Sequence, residues 1–225
     1  MKYRRTPPSL TINRLARYLN YLTLLPAEET HVSSASISKA LGIKATQFRQ
    51  DFHYFGGFGR PGLGYDRRLL IDVLEKILGV DKNQGIIIIG AGHLGTALAS
   101  YSYFEKMNLK LLGLFDSNPK MIGLSIRGIP IMHPDSLPKF AEANNIRIGI
   151  ITTPKEAAQP TCDLLVRVGV KGIWNFSPIQ LKVPEGFVVR NEQPALGLLA
   201  LTFQLYELEH TGIDKKGPRK AYSFD

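Results

Sequence analysis

Ile86-Ile87-Ile88-Ile89-Gly90-Ala91-Gly92-His93-Leu94-Gly95 decides the fold of this 225-residue chain. Four consecutive isoleucines read as a strand buried on both faces, and the glycines that follow fit G-x-G-x-x-G. Ala97, Leu98 and Tyr101 then recur at helical intervals. The pattern is weak alone, but strand, glycine turn and helix in that order give the context a dinucleotide fingerprint requires. Gly90 permits the tight turn, Gly92 lets the backbone approach a pyrophosphate, and Gly95 lets the helix pack close to the strand. The diphosphate would rest on the N–H groups of Ala91, His93 and Leu94 at the helix start. Asp116 closes the next apolar run, Leu111–Phe115, 21 positions after Gly95. A carboxylate there accepts from both ribose hydroxyls and repels a 2′-phosphate, so the expected ligands are NAD+ and NADH.

Downstream, short apolar runs alternate with helical stretches: Ile129–Ile131, Ile146–Ile151, Gly172–Phe176 and Phe187–Val189. This is the pattern of parallel strands joined by helical crossovers, hence an α/β, Rossmann-type doubly wound sheet. A leucine-rich helix follows over Ala195–Leu208, and the tail from 211 to 225 has little to bury and is expected to be mobile. A dehydrogenase needs a proton donor beside the nicotinamide, yet only about 35 residues remain beyond the last strand. His93 sits in the phosphate turn, His133 in a loop before proline, and His31, His53 and His210 outside the predicted sheet. The expectation is no enzyme. An NAD-dependent oxidoreductase with a helical appendage is the alternative, and a dinucleotide-binding scaffold that contacts only protein is a third.

Upstream, Asp81-Lys82-Asn83-Gln84-Gly85 forms a polar break, and the domain boundary is placed there. Before it, Ile12, Leu15, Leu19 and Leu22 line one helix face that Pro26 ends. A second helix starts at the hydroxyls of Ser33-Ser34 and stops at Gly42, and a third runs from about Lys44 to Phe55. Phe48, Phe52 and Phe55 recur at four and three, which makes them the buried face. The glycine-rich stretch Phe55–Tyr65 suits a β-hairpin with Arg60 at its tip, and residues 67–78 return to helical spacing. Helix, Gly42 turn, helix and hairpin is the order of a winged helix-turn-helix. Lys44, Thr46, Gln47, Arg49 and Gln50 on the third helix offer groups for phosphates and base edges in the major groove. A small helical oligomerisation domain is the alternative for this segment.

Charge agrees with that placement. The chain carries 28 Lys and Arg against 19 Asp and Glu, a net charge of +9. Residues 1–80 hold 12 and 6 of them, a balance of +6, and residues 81–225 hold 16 and 13, a balance of +3. A basic segment attracts polyanions by releasing their counterions. No apolar run approaches the ~20 residues of a membrane span, and the basic N-terminus leads into Thr6-Pro7-Pro8 rather than a signal region. A cytoplasmic protein with no membrane partner is expected. Cys162 is the single cysteine, which excludes an internal disulfide or a cysteine metal cage. It is read as a buried small hydrophobe on a helix.

Several long stretches resemble the Rex family of bacterial redox-sensing repressors. They are Val32-Ser33-Ser34, Ala40-Leu41-Gly42-Ile43, Gln47–Gly56, Gly62–Asp66, the Rossmann glycines, Phe115–Pro119 and Gly169–Pro178. The resemblance implies a winged-helix domain over 1–81, a Rossmann domain over 82–192 and a domain-swapped dimerisation helix over 193–210. It implies a homodimer that binds palindromic operators and releases them when NADH accumulates, through a change in the spacing of the two recognition helices. It assigns DNA contacts to Gln47, Arg49 and Arg60. It assigns the cofactor to Gly90, Gly92, Gly95 and Asp116, with Asn175-Phe176-Ser177-Pro178 near the nicotinamide and Tyr101 engaged in the NADH-bound state. Three departures stand out. Gln50 replaces the family's lysine, Glu192-Gln193-Pro194 replaces a Val-Asp pair and the apolar residue after it, and Asn20 stands at an arginine position. The family's Asp–Arg ion pair biases one of two states; Gln193 and Asn20 offer only a neutral hydrogen bond. These departures imply a divergent paralogue that retains binding of nucleotide and DNA and couples them weakly or differently.

Overall fold

The computed structural model describes residues 8–53 and 64–210. The expected wing, with Phe55 and Arg60, and the expected mobile tail lie outside the described residues. The chain divides into two units, one up to Asp81 and one from Lys82.

The N-terminal unit contains α1 (Ser9–Leu24), β1 (His31–Val32), α2 (Ser34–Leu41), α3 (Ala45–His53), β2 (Tyr65–Asp66) and α4 (Arg67–Leu78). Its local punctuation follows the sequence. Ser33 caps α2 in a reciprocal capping box with Ser36, and Gly42 ends it in the left-handed region at φ 66°; a side chain there would be strained, so glycine fits the turn between α2 and α3. Asp66 caps α4 by accepting from the Leu69 N–H at 2.9 Å, typically a contribution of ~1 kcal/mol. Leu15, Leu19, Leu22, Ile37, Leu70 and Leu74 form the core with Phe48 and Phe52. The Phe48 ring meets Tyr18 edge-on at 5.0 Å and packs against Phe52 at 4.7 Å. The two phenylalanines thus belong to the buried face, as their spacing predicts. A two-residue antiparallel pairing of β1 with β2, Val32 against Tyr65, ties α4 back to the loop before α2.

The second unit is a seven-stranded sheet. In chain order its elements are β3 (Gln84–Ile89), α5 (His93–Ala99), α6 (Tyr103–Lys106), β4 (Leu109–Phe115), β5 (Ser125–Ile126) and β6 (Ile129–Met132). After the short 3₁₀ turn Pro134–Ser136 come α7 (Leu137–Ala143), β7 (Ile146–Ile151), α8 (Lys155–Arg167), β8 (Gly172–Asn175), β9 (Val188–Asn191) and α9 (Pro194–His210). The spatial order is β5-β6-β4-β3-β7-β8-β9. Leaving out β5, the six parallel strands run 3-2-1-4-5-6, the doubly wound arrangement of dinucleotide-binding sheets. Strand β3 is central because its isoleucines are buried on both faces: Ile87 and Ile89 pack into one layer with Phe115, Leu137 and Leu165, while Ile86 and Ile88 pack into the other with Leu114 and Ile150. Cys162 is fully buried in the first layer, where burial pushes its thiol up to about 11.

The sheet is mixed rather than wholly parallel. β5 pairs antiparallel with β6, through a two-residue turn in which Arg127 and Gly128 both have positive φ, at 51° and 79°. Such a turn matches the twist of a tight hairpin. Helix α9 buries none of its residues.

Candidate functional site

The order reversal in the second unit falls between β3 and β7, and ligands of open α/β sheets bind in the crevice outside the strand ends at such a point. A crevice of about 750 Å³ opens there, lined by Gly90, Gly92, Asp116 and Ser117 on one side and by Thr152, Thr153, Pro154 and Arg167 among others on the opposite side. Each glycine has its own reason. Gly90 has φ 103°, and a Cβ on it would press on the Thr152 backbone. A Cβ on Gly95 would overlap the Gly90 carbonyl oxygen, so α5 could not approach the turn. A Cβ on Gly92 would meet no protein atom. Since Gly92 lines the crevice, that open space is where a ligand would approach the backbone.

Asp116 directly follows β4. Its Oδ2 accepts from the Ala91 N–H at 2.6 Å and its Oδ1 from the Asn118 N–H at 2.7 Å. The carboxylate therefore ties the glycine turn to the end of the neighbouring strand. Two oxygens offer about four lone-pair sites, which leaves roughly one on each for a ribose hydroxyl. His93 and Leu94 begin α5 and are exposed, with Ala91 buried beneath them.

The other residues expected near the ligand do not line the crevice. Tyr101 is 53% exposed and packs edge-on against Phe104 at 5.3 Å. Asn175 is fully buried, and its amide nitrogen donates to the carbonyls of Ser177 and Ile179 and to Asn191 Oδ1, so it shapes the loop after β8. Ser177 donates to the Thr153 carbonyl at 2.5 Å, which joins the Asn175–Pro178 loop to the crevice wall. Phe176 packs on Trp174 at 4.6 Å, and Pro178 is exposed. Glu192, one of the three departures, accepts from Trp174 Nε1–H at 3.2 Å and from Arg190 Nε–H at 3.0 Å.

The sequence reading missed the far wall. Thr152 Oγ1 donates to the Gly90 carbonyl at 2.7 Å and buttresses the turn across 62 residues of sequence. Thr153 Oγ1 is buried without a hydrogen-bond partner among the described residues. The only available signal was Thr152-Thr153-Pro154 directly after the Ile146–Ile151 run, since residues past a strand end point into the crevice.

In the N-terminal unit the candidate residues sit on or beside α3. Lys44, Thr46, Arg49 and Gln50 are exposed, and Gln47 is half-buried. Arg49 Nη1 donates to Ser34 Oγ at 3.3 Å. Gln47 donates through Nε2 to Asp51 at 2.9 Å, and Asp51 is also held by a bidentate contact from Arg14 and by the Tyr18 hydroxyl. The bonds to Asp51 hold Arg14 above its ordinary range; burial first, then the bond to Asp51, pushes the Tyr18 phenol up. Among the described residues no group of His, Cys, Asp or Glu side chains could hold a metal, and no helix is long and apolar enough to cross a membrane.

Fold and site together define a helix-turn-helix unit followed by a nucleotide-binding Rossmann unit. Comparison with known proteins resolves the family. Residues 8–53 match the family described as "Putative DNA-binding protein N-terminus", and residues 81–179 match the CoA binding domain family. The redox-sensing transcriptional repressor Rex of Thermoanaerobacter pseudethanolicus is 46% identical over 199 residues, covering 88% of this chain and 89% of the relative. The crystal structure of RSP in complex with β-NAD+ and operator DNA is 44% identical, with a TM-score of 0.84 over 92% of this chain and 95% of that one. RSP in complex with β-NADH gives a TM-score of 0.81 at 42% identity, over 92% and 97%. The chain belongs to the Rex family of redox-sensing transcriptional repressors.

Proposed function

We propose that this protein represses transcription by binding operator DNA through α3 and that the NADH/NAD+ balance, read in the crevice at Gly90, Gly92 and Asp116, governs that binding. One observation carries the reading: Asp116 is hydrogen-bonded to the glycine turn at the β3–β7 switch point with acceptor capacity left over. That is the arrangement a ribose diphosphate needs. RSP, with nearly the same fold, is described in complex with both redox forms and with operator DNA. The nucleotide is then an effector and not a substrate. Lys44, Thr46, Gln47, Arg49, Gln50 and Arg60 supply the DNA contacts. Ala91, His93, Leu94 and Gly95 complete the diphosphate turn, with Tyr101 and Asn175–Pro178 at the nicotinamide end. The domain limits are 1–81, 82–192, 193–210 and 211–225, and the protein works in the cytoplasm.

The protein acts as a homodimer on a palindromic operator. Along α9, Leu196, Leu198, Leu199, Leu201, Phe203, Leu205, Tyr206 and Leu208 are all about half exposed or more. A helix apolar all round needs a partner to cover it, and a domain-swapped second copy covers it symmetrically. Two recognition helices in a dimer bind two half-sites related by the same symmetry. Gln193 and Asn20 replace the family's ion pair with neutral groups, so the nucleotide shifts DNA affinity less than an ion pair would allow. The test is a mobility shift of the full chain on a palindromic duplex selected from a randomised pool, with NADH or NAD+ added. Retention of the duplex and a modest, NADH-favoured release support the proposal. Failure to retain any duplex overturns it, and a complete NADH-specific release overturns the weak-coupling part.

A further inference from the structure

Helix α8 breaks a local rule where it faces the nucleotide crevice. Ala157, Pro160, Thr161, Leu164 and Arg167 all line that crevice. Their spacing puts them on one face of the helix, along about 15 Å of its length. Pro160 stands inside α8, in its second turn. Proline is poorly tolerated there, because it has no N–H for the carbonyl four residues back and its ring crowds that carbonyl. The carbonyl concerned is the backbone C=O of Glu156. Pro160 is exposed, so the core gains little from it. A residue that costs the helix a bond thus sits on the wall of the binding crevice.

The consequence is an acceptor. A carbonyl oxygen carries two lone pairs and can only accept. The α-helical donor to Glu156 is missing, and no side chain among the described residues replaces it. Since the Pro160 ring abuts this carbonyl and lines the crevice, the acceptor lies at the crevice wall. Asp116 and the glycine turn stand on the opposite wall. Pro134, Ala157 and Leu164 add apolar surface suited to the faces of a flat base.

We infer that α8 reads the base of the bound dinucleotide: Pro160 keeps the Glu156 backbone carbonyl available to the 6-amino group of adenine, so the crevice selects adenine over a 6-oxo purine. A ribose gripped by Asp116 directs its base away from the diphosphate and against α8. Adenine presents an amino donor at position 6, whereas guanine and hypoxanthine present an oxygen, which would meet the carbonyl acceptor to acceptor. Pro160 is a positioning residue in this account, acting only through the carbonyl that it leaves without a donor. The inference rests on the proposal that the crevice holds NADH and NAD+, and it names how the adenine end is chosen.

The experiment titrates the full-length protein with NADH and with its hypoxanthine analogue, in which oxygen replaces the 6-amino group. Wild type should bind the analogue about tenfold more weakly than NADH. Pro160→Ala restores an N–H to the Glu156 carbonyl, so it should unfold at a higher temperature and bind the two nucleotides about equally. Leu164→Ala trims the wall and leaves the carbonyl as it is; it should weaken both nucleotides alike and keep the tenfold ratio. Equal affinity of wild type for NADH and the analogue overturns the inference and leaves the nucleotide reading standing. So does tighter binding of the analogue, which would mean that a donor such as Arg167 reads the base instead. A ratio unchanged by Pro160→Ala likewise overturns it, and if that variant does not fold, Pro160→Leu, which restores the same N–H, decides. If wild type binds neither nucleotide, the nucleotide reading itself fails, and this one with it.

Discussion

Asp51 in the N-terminal unit is buried and accepts four hydrogen bonds; Asp116 in the Rossmann unit is half-buried at an open crevice and accepts two. Both partners of Asp116 are backbone N–H groups, whereas all of Asp51's are side chains, three of them from α1 across 33 or more residues of sequence. The first carboxylate has no capacity left and serves as an anchor. The second keeps capacity for something outside the chain. Counting unfilled acceptor sites on a carboxylate thus separates a structural use from a binding use where burial alone would only rank them.

Substitutions should divide along that line. Asp51→Ala removes one half of a buried pair and strands Arg14, which typically costs about 3–5 kcal/mol. Urea unfolding should register that loss in the N-terminal unit, while NADH affinity of the protein that remains folded stays near wild type. Asp116→Ala should do the reverse. It removes charge-assisted bonds of roughly 1.5–3 kcal/mol each, so calorimetry should find NADH bound at least tenfold more weakly, with a smaller loss of stability. Equal stability losses for the two variants would break the contrast.

Two smaller effects sharpen it. Cys162 has its thiol pushed up to about 11 by burial, against an ordinary value near 8.5. The unfolded chain therefore loses that proton first, and stability falls as pH rises from about 9 to about 11. Cys162→Ala should flatten the curve in that window, measured as urea midpoints against pH. Gln50→Lys restores a cation to the exposed face of α3 and should steepen the salt dependence of DNA binding by a slope of about 0.9. An unchanged slope would mean that Gln50 stands away from the phosphates.

The glycine turn and Asp116 were legible because their determinants are local: four isoleucines, three glycines at fixed spacing, and an acid closing the next strand. The helix ends were legible for the same reason, with Ser33 and Gly42 each acting on a single turn. The far wall of the crevice was not. Thr152 reaches Gly90 across 62 residues of sequence, a contact that only the placement of β7 beside β3 creates. The Asp51 cluster was hidden likewise, since Arg14 and Tyr18 come from another helix. The edge strand Ser125–Ile126 escaped because two residues carry no periodicity. Gln47 was visible as a polar residue on the third helix, but its bond to Asp51 was not.

The central claim is that the turn at Gly90 and the carboxylate of Asp116 hold a nicotinamide adenine dinucleotide. Isothermal titration of the full-length protein with NADH, repeated on Asp116→Ala, tests it most directly. The account predicts saturable heat with one nucleotide per chain in the wild type and at least a tenfold weaker isotherm in the variant. Absence of heat with both NADH and NAD+ in the wild type, or an isotherm unchanged by Asp116→Ala, would contradict it.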